Sequence, residues 1–142
     1  WKTMEKDGKW RFTSPTHTVL AFAKAIEELK EEGGIPARSK RYYDNNRLLI
    51  RKMKDMGIQA YIGEEHQGPI ITTFFYPEHH NFSFQEMYQF IKERGYAIYP
   101  GKVTDADTFR IGNIGEIYEE DILKLCDIFE EFFARMKKKK AS

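Results

Sequence analysis

Arg110 sits in the middle of the stretch Thr108-Phe109-Arg110-Ile111-Gly112, where apolar and polar residues alternate. Alternation of this kind sends Phe109 and Ile111 to one face of a strand and Thr108 and Arg110 to the other. The planar guanidinium fork suits a carboxylate or a phosphonate. It also suits an ion pair with a neighbouring surface carboxylate, the usual fate of a charged strand residue. A second cluster, Thr13-Ser14-Thr16, precedes a helical pattern. Ser14 at the N-cap with Pro15 at the first helical position would be ordinary capping. The same hydroxyls at a helix N-terminus would also receive a phosphate.

Other reactive residue types carry less. Of His17, His66, His79 and His80 only the last two are adjacent, and no metal-ligand spacing supports them, so no metal site is expected. His17 reads as a first-turn surface residue. Asp105 and Asp107 read as turn residues rather than paired catalytic carboxylates. Cys126 lies on an apolar helical stripe and reads as core. Gly112-Asn113-Ile114-Gly115 lacks the strand–loop–helix context of a phosphate loop. Lys102, after a turn glycine, matches no cofactor-lysine motif.

The elements that must position Arg110 and Thr13 follow from periodicity. Val19, Phe22, Ala23, Ile26 and Leu29 mark a first helix that Gly33-Gly34 ends. Pro36 opens a second, reaching Met56, with Tyr42, Leu49, Met53 and Met56 as its stripe and Asn46 inside it. Arg38, Lys40, Arg41, Arg47, Arg51, Lys52 and Lys54 make the rest of it basic, as a solvated face or as a surface for an acidic partner. A short strand is expected at Ala60–Ile62. Ile70–Tyr76, β-branched and aromatic, reads as a central strand apolar on both faces. Ser83 and Glu86 form a capping box for a helix buried through Met87, Tyr88 and Ile91. Strands at Ala97–Tyr99 and Thr108–Gly112 follow. The last helix, from Glu119 to about Lys137, has acids in its first turn, lysines in its last, and a stripe of Ile122, Leu125, Cys126, Phe129, Phe132, Phe133 and Met136. The expected fold is α+β, a two-layer arrangement: a small, mostly antiparallel sheet with helices on one face. Arg110 is expected on the other face, which needs a cover from elsewhere.

Composition narrows the class. The net charge of +1 argues against a strong nucleic-acid or membrane field. One cysteine excludes an internal disulfide and fits a reducing compartment. No apolar run is long enough to span a bilayer and no signal-peptide pattern is seen, so a cytoplasmic protein is expected. The 11 Phe and 8 Tyr supply more apolar surface than one small domain needs, which points to a covering partner. The chain opens Trp1-Lys2-Thr3-Met4, which reads as a piece of a longer protein.

Four segments then do more than pattern: Trp10-Arg11-Phe12-Thr13-Ser14-Pro15-Thr16-His17, Gly68-Pro69-Ile70-Ile71-Thr72-Thr73-Phe74, Tyr99-Pro100-Gly101-Lys102 and Asp107-Thr108-Phe109-Arg110-Ile111-Gly112-Asn113-Ile114-Gly115. They closely resemble the class V group of fold-type I, pyridoxal-phosphate-dependent aminotransferases, and within it the enzymes that use 2-aminoethylphosphonate. The resemblance runs over nearly the whole chain. It implies the C-terminal small domain of such an enzyme over residues 35–142, with a connector and linking helix over 1–34. It implies that Arg110 grips the substrate carboxylate and the donor's phosphonate. Thr13 would reach the phosphate of pyridoxal 5'-phosphate in the partner subunit's site of a homodimer. The implied reaction moves the amino group of 2-aminoethylphosphonate to pyruvate, giving phosphonoacetaldehyde and alanine by ping-pong exchange, as in phosphonate degradation. The family's Schiff-base lysine, its pyridine-nitrogen aspartate and its main phosphate loop have no match in these residues. The 142-residue chain is therefore expected to be inactive alone and to need its large domain. The competing reading is a stand-alone nucleic-acid-binding or dimerisation module. Near-zero charge and the lack of a ribonucleoprotein-type aromatic motif argue against nucleic acid.

Overall fold

The computed structural model describes residues 2–78, 82–103 and 106–138. His79, His80 and Asp105 lie outside the described residues, as does the side chain of Lys102. The chain divides into two compact units, Trp1–Arg38 and Ser39–Ser142.

The first unit holds α1 (Lys2–Asp7), α2 (Thr16–Glu31) and the start of α3 (Gly34–Asp55). Helix α2 corrects the expected cap. Its N-cap is Pro15, and no side chain caps it. The carbonyl of Ser14, not its hydroxyl, is engaged: it accepts the Thr16 backbone N–H at 2.9 Å and the Thr16 hydroxyl at 3.4 Å. That local turn moves the helix start past Pro15. The stripe of Val19, Phe22 and Ile26 has helical spacing, yet no α2 residue is buried, and Phe22 is 66% exposed. Gly33, with φ of 106°, ends the helix by donating its N–H to the Lys30 carbonyl.

The second unit carries the sheet. After α3 come a 3₁₀ turn (Glu64–His66), β1 (Ile71–Phe75), α4 (Phe84–Lys92), β2 (Tyr99–Val103), β3 (Ala106–Gly112) and α5 (Glu119–Lys138). The strands form an antiparallel sheet in the order β1-β3-β2. Three strand expectations are corrected. The strand expected at Ala97–Tyr99 lies later, at Tyr99–Val103. β1 is an edge of this sheet and β3 is its centre. Only the β1 face with Thr72 and Phe74 is buried, while Ile71 and Phe75 are 46% and 38% exposed. Apolar character on both faces therefore marked a second exposed face, not a central position. The expected strand at Ala60 shrinks to one bridge, Ala60 to Phe74, with Gln59 and Tyr61 bonding Phe75 and Thr73. That segment leaves β1 after a few residues, too few for a ladder.

The inner face is an aromatic core. Phe109 is fully buried, with its ring centroid 5.7 Å from Phe74, 6.0 Å from Phe129 of α5 and 6.5 Å from Phe84 of α4. Leu49 and Met53 of α3, Met87 and Ile91 of α4, and Ile122, Leu125 and Phe132 of α5 complete it. Asn46, the polar residue inside the α3 stripe, is buried because its amide donates to the Thr72 hydroxyl at 2.8 Å. The α4 N-cap is Ser83, as expected: the Glu86 N–H donates to Ser83 Oγ at 3.3 Å, but among the described residues the Glu86 side chain does not close the capping box on the Ser83 N–H.

Cys126 is fully buried in this core. Burial pushes its thiol up to about 11, with Lys52 lowering it somewhat in opposition. The folded chain thus holds this proton more tightly than an unfolded chain, whose thiol titrates near 9.0. The resulting stabilisation is fully present below about pH 9 and is lost as pH rises towards 11. At pH 8 the native thiol should resist alkylation by iodoacetamide and should react promptly once denaturant is added. Equal labelling rates in both states would contradict this.

Candidate substrate-binding site

The outer face of the sheet brings Arg110 into one row with two neighbours. Thr73 of β1 and Tyr99 of β2 lie directly opposite it in register. Facing residues in an antiparallel pair have Cβ atoms about 5 Å apart, so the three side chains form one surface. Arg110 is exposed, and its Nη2 makes one long contact, 3.4 Å, to the Pro100 carbonyl. Among the described residues no carboxylate forms a salt bridge with it. The ion-pair alternative is therefore not what occupies this guanidinium there. Among the described residues most of its five donors have no partner and could meet an incoming anion.

The backbones of β2 and β3 approach closely at Gly101. Gly101 lies across from Thr108, and a Cβ there would come within 2.5 Å of Thr108 Oγ1 and 2.9 Å of the Thr108 backbone. Only glycine lets β2 approach so closely, and the Thr108 hydroxyl donates to the Gly101 carbonyl at 3.1 Å.

The far end of β3 is tied down by residues that the sequence reading left on a solvated face. Arg41 Nη1 donates to the carbonyls of Gly115 and Ile117, both at 2.8 Å, and its guanidinium lies over the rings of Tyr42 and Tyr118. Asn45 donates to the Ile117 carbonyl at 2.8 Å. Asn113, fully buried, donates from its amide to the carbonyls of Pro69 and Tyr42. The basic side of α3 is also partly neutralised, by Arg38 with Glu32 and Lys40 with Asp44. One sequence signal could have pointed here: the adjacent pair Asn45-Asn46 beside an apolar stripe, which demands buried hydrogen-bond partners.

Thr13 belongs to the first unit. It is exposed, in a bend just before α2, and makes no hydrogen bond among the described residues. No side chain caps α2, and of its first-turn N–H groups that of Thr16 is held by the Ser14 carbonyl. His17, in the first turn of α2, is exposed; so are His66, 4.0 Å from Glu65 and outside any cluster, and Asp107 on β3. Among the described residues no three His, Cys, Asp or Glu side chains gather as a metal site. An open groove of about 320 Å³ lies along α3, lined by Asp44, Arg47, Arg51 and Glu119 among others, and does not include Arg110. No helix among the described residues is long and apolar enough to cross a membrane.

Over 132 residues, 93% of its length, the chain is 61% identical to the 2-aminoethylphosphonate–pyruvate transaminase of Lysinibacillus sphaericus. It is 53% identical over 132 residues, 92% of its length, to that of Bacillus cytotoxicus. The chain spans about 36% of the length of each of these curated relatives. Among solved structures, an aspartate aminotransferase of subgroup IV from Thermus thermophilus matches 91% of the chain with TM-score 0.73 at 20% identity. An alanine–glyoxylate aminotransferase from Nostoc sp. matches 87% with TM-score 0.76, also at 20% identity. The chain covers 36% and 33% of those two structures. The α+β fold, a small antiparallel sheet with helices packed on one face, is thus one that occurs within aminotransferases. No family model matches the chain.

Proposed function

We propose that this chain is the C-terminal small domain, with its linking helix, of a pyridoxal-phosphate-dependent aminotransferase that moves the amino group of 2-aminoethylphosphonate to pyruvate. The observation that carries the reading is Arg110, an exposed guanidinium without a carboxylate partner among the described residues, in a chain 61% identical to a transaminase of that name. The same identity favours this reading over a stand-alone nucleic-acid-binding or dimerisation module.

In the proposed enzyme Arg110 binds the pyruvate carboxylate in one half-reaction and the phosphonate in the other. Both are anions that a guanidinium fork can hold through two parallel hydrogen bonds. Holding that end of the substrate orients its other end for amino transfer and excludes water from the anion. Pyridoxal phosphate, when bound, would supply the chemistry for carrying the amino group between donor and pyruvate. Thr13 supplies a hydroxyl to the cofactor phosphate, in the partner subunit's site of a homodimer. The exposed outer face of the sheet and the apolar stripe of α2 are covered by the large domain in the full-length protein. Residues 35–142 would then be the small domain and 1–34 the connector and linking helix, in a cytoplasmic enzyme.

The test is an assay of the full-length protein with pyridoxal phosphate, 2-aminoethylphosphonate and pyruvate. Alanine and phosphonoacetaldehyde should form in equal amounts. The 142-residue chain alone should form neither. Turnover by the isolated chain, or a full-length enzyme that ignores the phosphonate donor, would overturn the proposal.

A further inference from the structure

Resting on the reading of Arg110 as the anion grip, we propose that Tyr99 is the specificity-determining residue that fits this site to a tetrahedral phosphonate as well as a planar carboxylate. The two anions differ in one atom that matters here. A carboxylate presents two oxygens, and a guanidinium fork engages both. A phosphonate presents three, so the fork leaves one oxygen that needs its own donor. A desolvated anionic oxygen without a partner costs affinity.

The sheet register names the donor. Tyr99 and Thr73 are the two hydroxyl-bearing residues directly opposite Arg110. Neither hydroxyl has a hydrogen-bond partner among the described residues, and two observations favour Tyr99. It is 59% exposed, whereas Thr73 is half-buried. The one hydrogen bond of Arg110 among the described residues runs to the carbonyl of Pro100, the residue next to Tyr99 on β2, so the guanidinium leans towards that strand and away from β1. A phosphonate seated on Arg110 in this position has two oxygens on the fork and its third towards the β2 side, where a phenol O–H donates.

The experiment compares Tyr99→Phe and Arg110→Ala in the intact enzyme, measuring kcat/KM for 2-aminoethylphosphonate and for pyruvate separately. In Tyr99→Phe the ratio of the phosphonate value to the pyruvate value should fall by about tenfold or more, the size expected for one hydrogen bond to a charged group. Phenylalanine keeps the ring and the strand preference at an exposed position, so the melting temperature should stay put. Arg110→Ala should lower both values together. If Tyr99→Phe leaves the ratio unchanged while Arg110→Ala impairs both substrates, the role of Tyr99 is overturned and the anion grip stands. If Arg110→Ala impairs neither substrate, the grip itself is wrong and the role of Tyr99 falls with it.

Discussion

Replacing Arg110 with alanine in the intact enzyme is expected to lower kcat/KM for both pyruvate and 2-aminoethylphosphonate by about 10²- to 10³-fold, with absorbance of the bound cofactor unchanged. The magnitude is that of losing a bidentate, charge-assisted interaction with a desolvated anion, about 3–4 kcal/mol. The loss should appear largely in KM for pyruvate, because the grip is made in the ground state as well as in the transition state. Arg110→Lys should recover only part of it, since an ammonium offers charge without the planar fork. Folding should be nearly unaffected, because Arg110 is exposed and its only contact among the described residues is the 3.4 Å approach to the Pro100 carbonyl. A variant with wild-type kinetics would remove Arg110 from the site. A variant that lost its cofactor absorbance would assign the residue to cofactor binding instead.

Phe109→Ala should have the largest effect on stability. The neighbouring position on β3 points inward, where Phe109 is fully buried among the rings of Phe74, Tyr76, Phe84 and Phe129 at centroid distances of 5.7, 6.2, 6.5 and 6.0 Å. Truncation there removes the transfer free energy of the ring and leaves a cavity between sheet and two helices, a loss of about 3–5 kcal/mol. Against a typical total of about 5–15 kcal/mol this would leave little margin. Urea melts should show a lower midpoint with an unchanged slope. Phe109→Leu, which keeps most of the volume, should cost clearly less. A loss below about 1 kcal/mol for the alanine variant would mean that the helices close over the gap, and the rigid-layer description of this core would be wrong.

Alternation across β3 told the residues at 109 and 110 apart before any coordinates: one inward and apolar, one outward and charged. The α5 stripe and the α4 N-cap at Ser83 were equally legible. All of these depend on relations within a few residues of chain, where backbone geometry alone decides which side chains share a face.

What the tertiary structure decided depends on partners far away in sequence. The ladders β1 makes are set by β3, more than thirty residues on, so its edge position could not be read from its own composition. Ala60 and its neighbours met β1 for too short a stretch to build a strand. Arg41 looked like one more cation on a basic helix until the fold brought the Gly115 and Ile117 carbonyls to it. The absence of a described carboxylate beside Arg110, and the presence of Tyr99 across from it, follow from strand register, and hydrogen-bond register is fixed only when separate segments meet.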